Sequence, residues 1–294
     1  MDARQLEYFL AVVDEGGVHP AAEKLFVAQP SVSQSIKNLE RSLGTDLFTR
    51  TGRSLRLTAA GEALVSPARQ VLHWLALSRA NVEAVSGLRQ GRLVITTMPS
   101  QAVDPLPAVL DAFTRRYPLV EIVIRAAGTP STVSTLVLSG TVEVGVAATT
   151  TPIDSGSLTL VPVTHQGFIV VAPRDSSLPA GRALTYADLE GLRLIAGQEG
   201  TGMRKVADEV VATNRSTSVA IESEHREAIL PMVLAGTGTA IMAEGWRSLA
   251  RHAGLQVNDL RTEVGLTVVA MHRSGELSPA ASAFVDVFRS AGSL

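Results

Sequence analysis

Side chains with short or flexible hydrogen-bonding groups recur at helical spacing between residues 29 and 41. Gln29, Ser33 and Gln34 share one face of the helix that this spacing predicts. In the major groove of DNA, a glutamine can pair with adenine through two hydrogen bonds, a serine hydroxyl can reach several base edges, and Pro30 can touch a thymine methyl group. The face is therefore a candidate for reading DNA sequence. Taken alone, the pattern equally fits an ordinary solvated helix face.

Basic residues surround this segment, although the whole chain carries a formal charge of −2. Residues 24 to 57 hold six lysines and arginines against two acidic residues. A local basic patch of this kind is what contact with phosphates requires. We assign Ser31, Lys37, Arg50 and Arg53 to phosphate or minor-groove contacts, which position a protein on DNA without reading its sequence.

A second group of polar residues lies in loops that each precede a predicted helix. The loops are Pro99-Ser100-Gln101, Gly128-Thr129-Pro130 and Gly200-Thr201-Gly202-Met203-Arg204. Hydroxyl groups and free backbone N–H groups at helix N-termini bind anions, and Arg204 and the turn from Ser223 to Arg226 add groups that could complement a carboxylate. The candidate ligand contacts are Ser100, Gln101, Thr129, Thr201, Gly202, Arg204 and His225. The alternative for Thr129 and Thr201 is that each merely caps its helix.

Composition excludes several other kinds of chemistry. The chain has no cysteine, so disulfides, thiolate metal sites and iron–sulfur clusters are excluded. The six histidines lack the spacing of metal ligands, and we expect no metal and no cofactor. The sequence has no recognisable motif that pairs a nucleophile with a base, so we do not expect an enzyme. Neither an export signal nor an apolar run long enough to span a membrane is apparent, so we expect no membrane partner and a cytoplasmic location.

The elements that position the first group form a predicted winged helix-turn-helix over residues 1–58. Leu6, Phe9 and Leu10 belong to the apolar stripe of a first helix that stops at Gly16-Gly17, and two further helices begin near Pro20 and Pro30. The third helix ends at Gly44. Two short strands around Thr51-Gly52-Arg53 then complete the module as a wing.

A long helix over residues 59–89 follows, beginning after the N-cap Thr58. Apolar positions recur at alternating spacings of four and three, which predicts a dimerisation seam, although Ser78 interrupts it. The seam comprises Leu64, Ala68, Val71, Leu75, Ser78, Val82 and Val85. The alternative is a helix that packs on its own domain.

Residues 90–294 change to alternating short strands and helices, which predicts an α/β domain with a mainly parallel sheet. The predicted strands are 92–97, 120–125, 142–147, 158–164, 167–172, 192–195, 217–222, 239–242 and 264–272. The predicted helices are 103–116, 131–139, 202–213, 224–235, 244–252 and 278–288. A catalytic or solute-binding role for this part is the alternative to a regulatory one.

Several joined motifs resemble the LysR-type transcriptional regulators in order and spacing. They are Gln5-Leu6-Glu7-Tyr8-Phe9, Ala21-Ala22-Glu23-Lys24-Leu25, Val27-Ala28-Gln29-Pro30-Ser31-Val32-Ser33, Ile36-Lys37-Asn38-Leu39-Glu40, Leu47-Phe48-Thr49-Arg50 and Leu57-Thr58-Ala59-Ala60-Gly61-Glu62. Weaker similarity covers the rest, including Tyr117-Pro118 and Gly236-Thr237-Gly238.

The resemblance implies a winged helix-turn-helix, a linker helix that dimerises, and an effector domain of two α/β lobes like the type 2 periplasmic binding proteins. In that fold the chain crosses between the two lobes twice. Lobe one is therefore expected at 90–161 plus 266–294 and lobe two at 162–265. The three polar loops would then meet at the cleft, with Ser100 and Thr129 where family members commonly hold an effector's carboxylate. The implied partners are double-stranded DNA with an interrupted inverted repeat, a small organic anion and other copies of the chain as dimer and tetramer, with RNA polymerase left open.

Overall fold

The computed structural model describes residues 1–51, 54–84 and 91–291. Contacts divide the chain into two compact units, Met1–Gly87 with Ser139–Thr141, and Leu88–Leu138 with Val142–Leu294. In the described ranges no helix is both long and apolar enough to cross a membrane.

The first unit is a winged helix-turn-helix followed by a long helix. Its elements are α1 (Ala3–Asp14), α2 (Val18–Lys24), α3 (Gln29–Leu43), β1 (Phe48–Thr51), β2 (Ser54–Leu57) and α4 (Ala59–Ala84). Asp2 and Gln5 form a reciprocal capping box at the start of α1, which satisfies backbone N–H groups that a helix leaves unpaired. β1 and β2 pair antiparallel, with Phe48 opposite Leu57.

One apolar core holds these helices together. Leu6, Phe9, Ala21 and Val32 are buried there, as are the other apolar positions of α3, Ile36 and Leu39. Because those α3 residues recur every three or four positions, one face of the helix is buried and the opposite face is left to solvent.

The long helix α4 divides its apolar positions between two environments. Leu64 packs against the core of the first unit, and Ala68 is buried in it. Val71, Leu75 and Val82, further along, are exposed. The early part of the predicted seam therefore packs on its own domain, and the exposed positions lie in the later part; Val85 lies outside the described residues.

The second unit contains two five-stranded sheets with flanking helices. Its strands are β3 (Gly91–Thr97), β4 (Val120–Ala126), β5 (Val144–Thr149), β6 (Leu158–Gln166), β7 (Phe168–Ala172), β8 (Arg193–Gly197), β9 (Ser218–Ser223), β10 (Thr239–Ala243), β11 (Gln256–Leu260) and β12 (Leu266–Arg273). Its α-helices are α5 (Pro99–Val103), α6 (Leu106–Arg116), α7 (Pro130–Leu138), α8 (Gly202–Thr213), α9 (Ile229–Leu234), α10 (Arg247–His252) and α11 (Pro279–Ala291).

The strand orders define the two lobes. Lobe one has the order β4-β3-β5-β12-β6, and lobe two has the order β11-β7-β10-β8-β9. The prediction of mainly parallel sheets is wrong, because each sheet contains two parallel and two antiparallel pairs. The antiparallel pairs involve the strands next to the points where the chain crosses between lobes. β6 pairs with β12 as far as Gln166, so the first crossing lies at Gly167 rather than at 161/162.

Three further differences from the predicted elements have local causes. The helix predicted over 103–116 is divided at Asp104-Pro105, since proline supplies no N–H and restricts the residue before it. The helices predicted over 224–235 and 244–252 begin as single 3₁₀ turns. Strand β11 was not predicted, because its sequence, Gln-Val-Asn-Asp-Leu, is mostly polar; the buried Asn258 side chain instead donates to the carbonyls of Pro179 and Arg182.

Candidate functional site

The exposed face of α3 presents most of the residues predicted to contact DNA. Five of them are exposed and Ser33 is half-buried, whereas Val32 is fully buried and belongs to the core. The exposed five are Gln29, Pro30, Ser31, Gln34 and Lys37. The structure thus places six of the eight residues along one helix. Arg53 and the side chain of Arg50 lie outside the described residues.

A chain of hydrogen bonds orients part of this face. Oδ1 of Asn38 accepts from Nε2 of Gln34 at 2.9 Å and from Nη1 of Arg41 at 3.1 Å. Both donors lie one helical turn from Asn38, so the three side chains form a polar row along α3. This arrangement leaves the carbonyl oxygen of the Gln34 side chain available to a partner in solvent.

The turn before α3 and the entry to the wing are held by specific backbone contacts. Phe26 adopts a left-handed conformation with φ of 53°, and Val27 N–H donates to the carbonyl of Ala22. This geometry ends α2 sharply and redirects the chain into α3. On the other side, Oε1 of Glu40 accepts from the backbone N–H groups of Leu47 and Phe48 at 2.9 and 3.3 Å. Glu40 therefore ties α3 to the start of β1.

The second unit contains a small cavity between the lobes, and four predicted ligand contacts line it. These are Ser100, Gln101, Thr201 and Gly202. The space leaves about 10 Å³ for the centres of water-sized molecules, which corresponds to about one water. A wider depression of about 1140 Å³ adjoins the cavity, since Ala148, Thr201 and Gly202 line both.

Lobe one contributes two buried polar residues from α5. Oγ of Ser100 accepts from Nε1 of Trp246 at 3.1 Å and lies 3.7 Å from the sulfur of Met203. Gln101 is fully buried, and neither polar atom of its side-chain amide has a hydrogen-bond partner among the described residues. Unpaired buried amides are costly, so Gln101 is equipped to hydrogen-bond a polar group that enters the cavity.

Lobe two contributes the N-terminus of α8. Oγ1 of Thr201 accepts from the backbone N–H of Arg204 at 3.3 Å and donates to the carbonyl of Gln198, so Thr201 caps the helix. Gly202 has no room for a side chain, because an added Cβ would lie 2.7 Å from both Leu266 and Thr150.

Thr129 lies at the edge of this region. Its hydroxyl accepts from the backbone N–H of Thr132 at 3.2 Å, in the manner of a cap on α7. A Cβ added to Gly200 would lie 3.7 Å from its methyl group, which places the Gly128–Pro130 loop of lobe one beside the Gly200–Gly202 loop of lobe two. Both threonines therefore act as caps and also lie near the cleft.

Arg204 and His225 were expected to offer free polar groups to a ligand, but both side chains already have acidic partners. The guanidinium of Arg204 pairs with Asp208, at 2.8 Å, and with Glu222, while Glu199 lies 3.9 Å away. Its charge is already compensated, and these partners raise its pKa. His225 is exposed, and its Nδ1 lies 3.2 Å from a carboxylate oxygen of Glu227. Neither side chain lines the small cavity.

Arg226, the next residue along the chain, lines the cavity instead. Its side chain is 2% exposed, and its Nη2 donates across the cleft to the carbonyl of Gly128 at 3.0 Å. Burial lowers its pKa to about 10, which still leaves it charged at neutral pH. The sequence showed only that a polar turn contained Arg226; its burial depends on the packing of both lobes. Among residues 1–51, 54–84 and 91–291, no group of three or more histidine, aspartate and glutamate side chains is placed to hold a metal ion.

Two family models match the chain and together cover most of it. The model for "Bacterial regulatory helix-turn-helix protein, lysR family" matches residues 3–62. The model for "LysR substrate binding domain" matches residues 86–293. The chain belongs to the LysR family. It is a DNA-binding transcriptional regulator of the LysR type with an effector-binding domain, as the resemblance implied.

Curated relatives of this LysR-type regulator carry matching names. A "Probable RuBisCO transcriptional regulator" of Cyanophora paradoxa is 29% identical over 244 residues, covering 81% of this chain and 75% of the relative. The "Uncharacterized HTH-type transcriptional regulator YfeR" of Shigella flexneri is 26% identical over 291 residues, covering 98% and 94%.

Solved structures of full-length regulators share the fold. A full-length OxyR variant from Pseudomonas aeruginosa superposes with a TM-score of 0.75 at 22% identity, covering 100% of this chain and 95% of that one. Full-length CbnR in complex with its target DNA superposes with a TM-score of 0.71 at 24% identity, covering 99% and 100%. The prediction of a winged helix-turn-helix followed by a two-lobed effector domain is confirmed.

Proposed function

We propose that this regulator reads an interrupted inverted repeat in DNA through α3 and is switched by a small organic anion bound between its two lobes. The observation that carries the proposal is the small cavity where polar residues of both lobes meet. Ser100 and Gln101 come from lobe one, and Thr201 and Gly202 come from lobe two. A ligand held there contacts both lobes and can therefore alter their arrangement.

For DNA, we assign base contacts to Gln29, Ser33 and Gln34, with Pro30 against a thymine methyl group. Their positions near the N-terminal end of α3 support this, since that part of a recognition helix enters the major groove. Ser31, Lys37, Arg50 and Arg53 are assigned to phosphate or minor-groove contacts.

For assembly, we propose that two copies pair through the later part of α4. Val71, Leu75 and Val82 follow one another at spacings of four and seven and are 43%, 43% and 73% exposed. Apolar positions in this pattern favour packing against an identical helix. A two-fold symmetric dimer requires a symmetric DNA site, and pairing of two dimers would give a tetramer that bridges two sites.

For the effector, donors around the cavity favour an anion. The cavity adjoins the N-terminus of α8, a helix of twelve residues whose dipole favours negative charge. The hydroxyl of Ser100 and the amide of Gln101 add directional hydrogen bonds, with Thr129 at the rim. The adjoining depression offers space for the body of the ligand.

Binding in the cleft would act on DNA by changing the arrangement of lobes and hence the spacing of the DNA-binding modules. Coupling of this kind is typically about 1–3 kcal/mol and is reciprocal for binding. Operator DNA should therefore change the affinity for the effector by the same factor as the effector changes the affinity for DNA.

The test combines a binding screen with DNA binding by the full chain. Acetate, succinate and benzoate are titrated by calorimetry and in operator-binding assays against wild type, Ser100→Ala and Thr129→Val. Thr213→Val is the matched control, because the Thr213 hydroxyl is exposed at the far end of α8. We expect an anion that alters operator binding to bind wild type and the control alike and the two cleft variants more weakly. Equal affinity for all four proteins would refute the assignment of these residues.

A further inference from the structure

Arg226 is a buried arginine whose charge lacks a counterion among the described residues. No carboxylate oxygen of those residues lies within 4.0 Å of its guanidinium. A guanidinium has five N–H donors, and the hydrogen bond to Gly128 uses one. Nε of Arg226 is buried and has no hydrogen-bond partner among the described residues. A buried charge with so few partners is costly, because desolvation is not repaid.

Other arginines of the same lobe are compensated. Arg204 pairs with two carboxylates, and Arg247 pairs with Glu244 and Asp259. These two side chains are half-buried, 16% and 21% exposed, and each has carboxylate partners. Arg226 differs from them in both respects, since it is more deeply buried and has no acidic partner among the described residues.

Gln101 is, like Arg226, a buried polar residue at this cavity. Both line the same small cavity, and both have buried polar atoms without partners among the described residues. They come from opposite lobes, Gln101 from α5 of lobe one and Arg226 from lobe two. The two residues therefore contribute a cation and an amide donor to the same small cavity at the junction of the lobes.

We propose that Arg226 is the residue that recognises the anionic group of the effector, and that a carboxylate held between Arg226 and Gln101 stabilises the closed arrangement of the lobes. The inference rests on the proposed function, because it assigns the charge recognition of that same cleft. A carboxylate fits the donor set, since its two oxygens can accept from Nε–H of Arg226 and from the Gln101 amide while its charge compensates the guanidinium.

This arrangement explains how an anion could act as a switch. When the lobes close around Arg226, its charge leaves water, and the hydrogen bond to Gly128 compensates only part of the loss. A carboxylate in the cavity supplies the missing charge. An anion therefore favours the closed arrangement more than a neutral ligand of the same shape does.

The experiment measures thermal unfolding of the full chain in formate and acetate against chloride at equal ionic strength and pH 7.5. Formate is the smallest carboxylate, so among such anions it demands the least enlargement of a cavity that holds about one water. For wild type we expect saturating formate to raise the melting temperature by about 3 °C relative to chloride. Arg226→Met, which keeps an unbranched side chain without the charge, should lose this rise.

Two further variants keep the test decisive. Arg204→Met removes an arginine that is already paired and should keep the full rise. Arg226→Lys retains the charge, so it should keep part of the rise and covers the case in which Arg226→Met does not fold. An equal rise in melting temperature in wild type and Arg226→Met would overturn the inference, as would no rise in wild type with either carboxylate. If Arg226→Met does not fold, the inference is overturned when Arg226→Lys shows no rise.

Operator binding by the same samples separates the inference from the proposed function. If a carboxylate changes operator binding by wild type and by Arg226→Met equally, the cleft function stands and the role of Arg226 is refuted. If formate stabilises wild type through Arg226 but none of acetate, succinate and benzoate changes operator binding, the anion site stands and the switching function is refuted.

Discussion

Replacing Glu40 by alanine should detach the wing from the recognition helix. Oε1 of Glu40 accepts two backbone hydrogen bonds, from Leu47 at 2.9 Å and from Phe48 at 3.3 Å. Glu40 is half-buried and Leu47 is buried, so water replaces the lost acceptor only in part. Each such bond contributes about 0.5–1.5 kcal/mol, which gives a loss of about 1–3 kcal/mol for the local structure.

Glu40→Gln is the matched control, because it removes the same charge but keeps an oxygen that can accept. Hydrogen exchange of the amides of Leu47 and Phe48 measures the local effect directly. In Glu40→Ala these amides should exchange about 5- to 150-fold faster than in the wild type, and in Glu40→Gln by less than about tenfold. Operator affinity should follow the same order. Equal exchange and equal affinity in the two variants would show that the acceptor does not hold the wing.

Four other substitutions test three separate parts of the structure. Gln29→Ala should cost about 1–3 kcal/mol at one base pair only, whereas Lys37→Ala should weaken binding to operator and scrambled DNA alike and reduce the salt slope by about one, as fluorescence anisotropy would show. Leu75→Glu puts a charge on the exposed stripe of α4 and should convert dimers to monomers in light scattering; unchanged mass would contradict the seam. Partial burial and the nearby Glu244 raise the pKa of Asp104, so its ionisation costs stability above that pKa. Asp104→Asn should therefore raise the melting temperature at pH 8, with the gain vanishing near pH 4; a gain independent of pH would refute this account.

The elements of the first unit could be predicted because their signals are local. Val32, Ile36 and Leu39 recur at helical spacing, and this spacing alone indicates which face of α3 is buried. The polar face that remains carries the candidate DNA contacts. The same reasoning was incomplete for α4, since periodicity shows that apolar residues share a face but not which partner covers each of them.

The second unit was less accessible to sequence reasoning. Strand β11 pairs with β7 at the edge of a sheet despite a mostly polar sequence, because Asn258 is satisfied by carbonyls far along the chain. The end of lobe one at Gln166 depends on pairing with β12, about a hundred residues later. Such pairings are decided by the whole sheet and leave little trace in a short segment.

By itself, the sequence determined the amphipathic helices, the basic DNA-binding module and the family, since these depend on spacing and on joined motifs. Only the tertiary structure decided which arginine lines the small cavity. Arg204 and Arg226 both lie near predicted polar turns. Arg204 is paired with carboxylates, whereas Arg226 is buried and lines the same small cavity as Gln101. The reason is physical: the state of a charge depends on its neighbours in space and on its exposure to water, and folding brings those neighbours from distant parts of the chain.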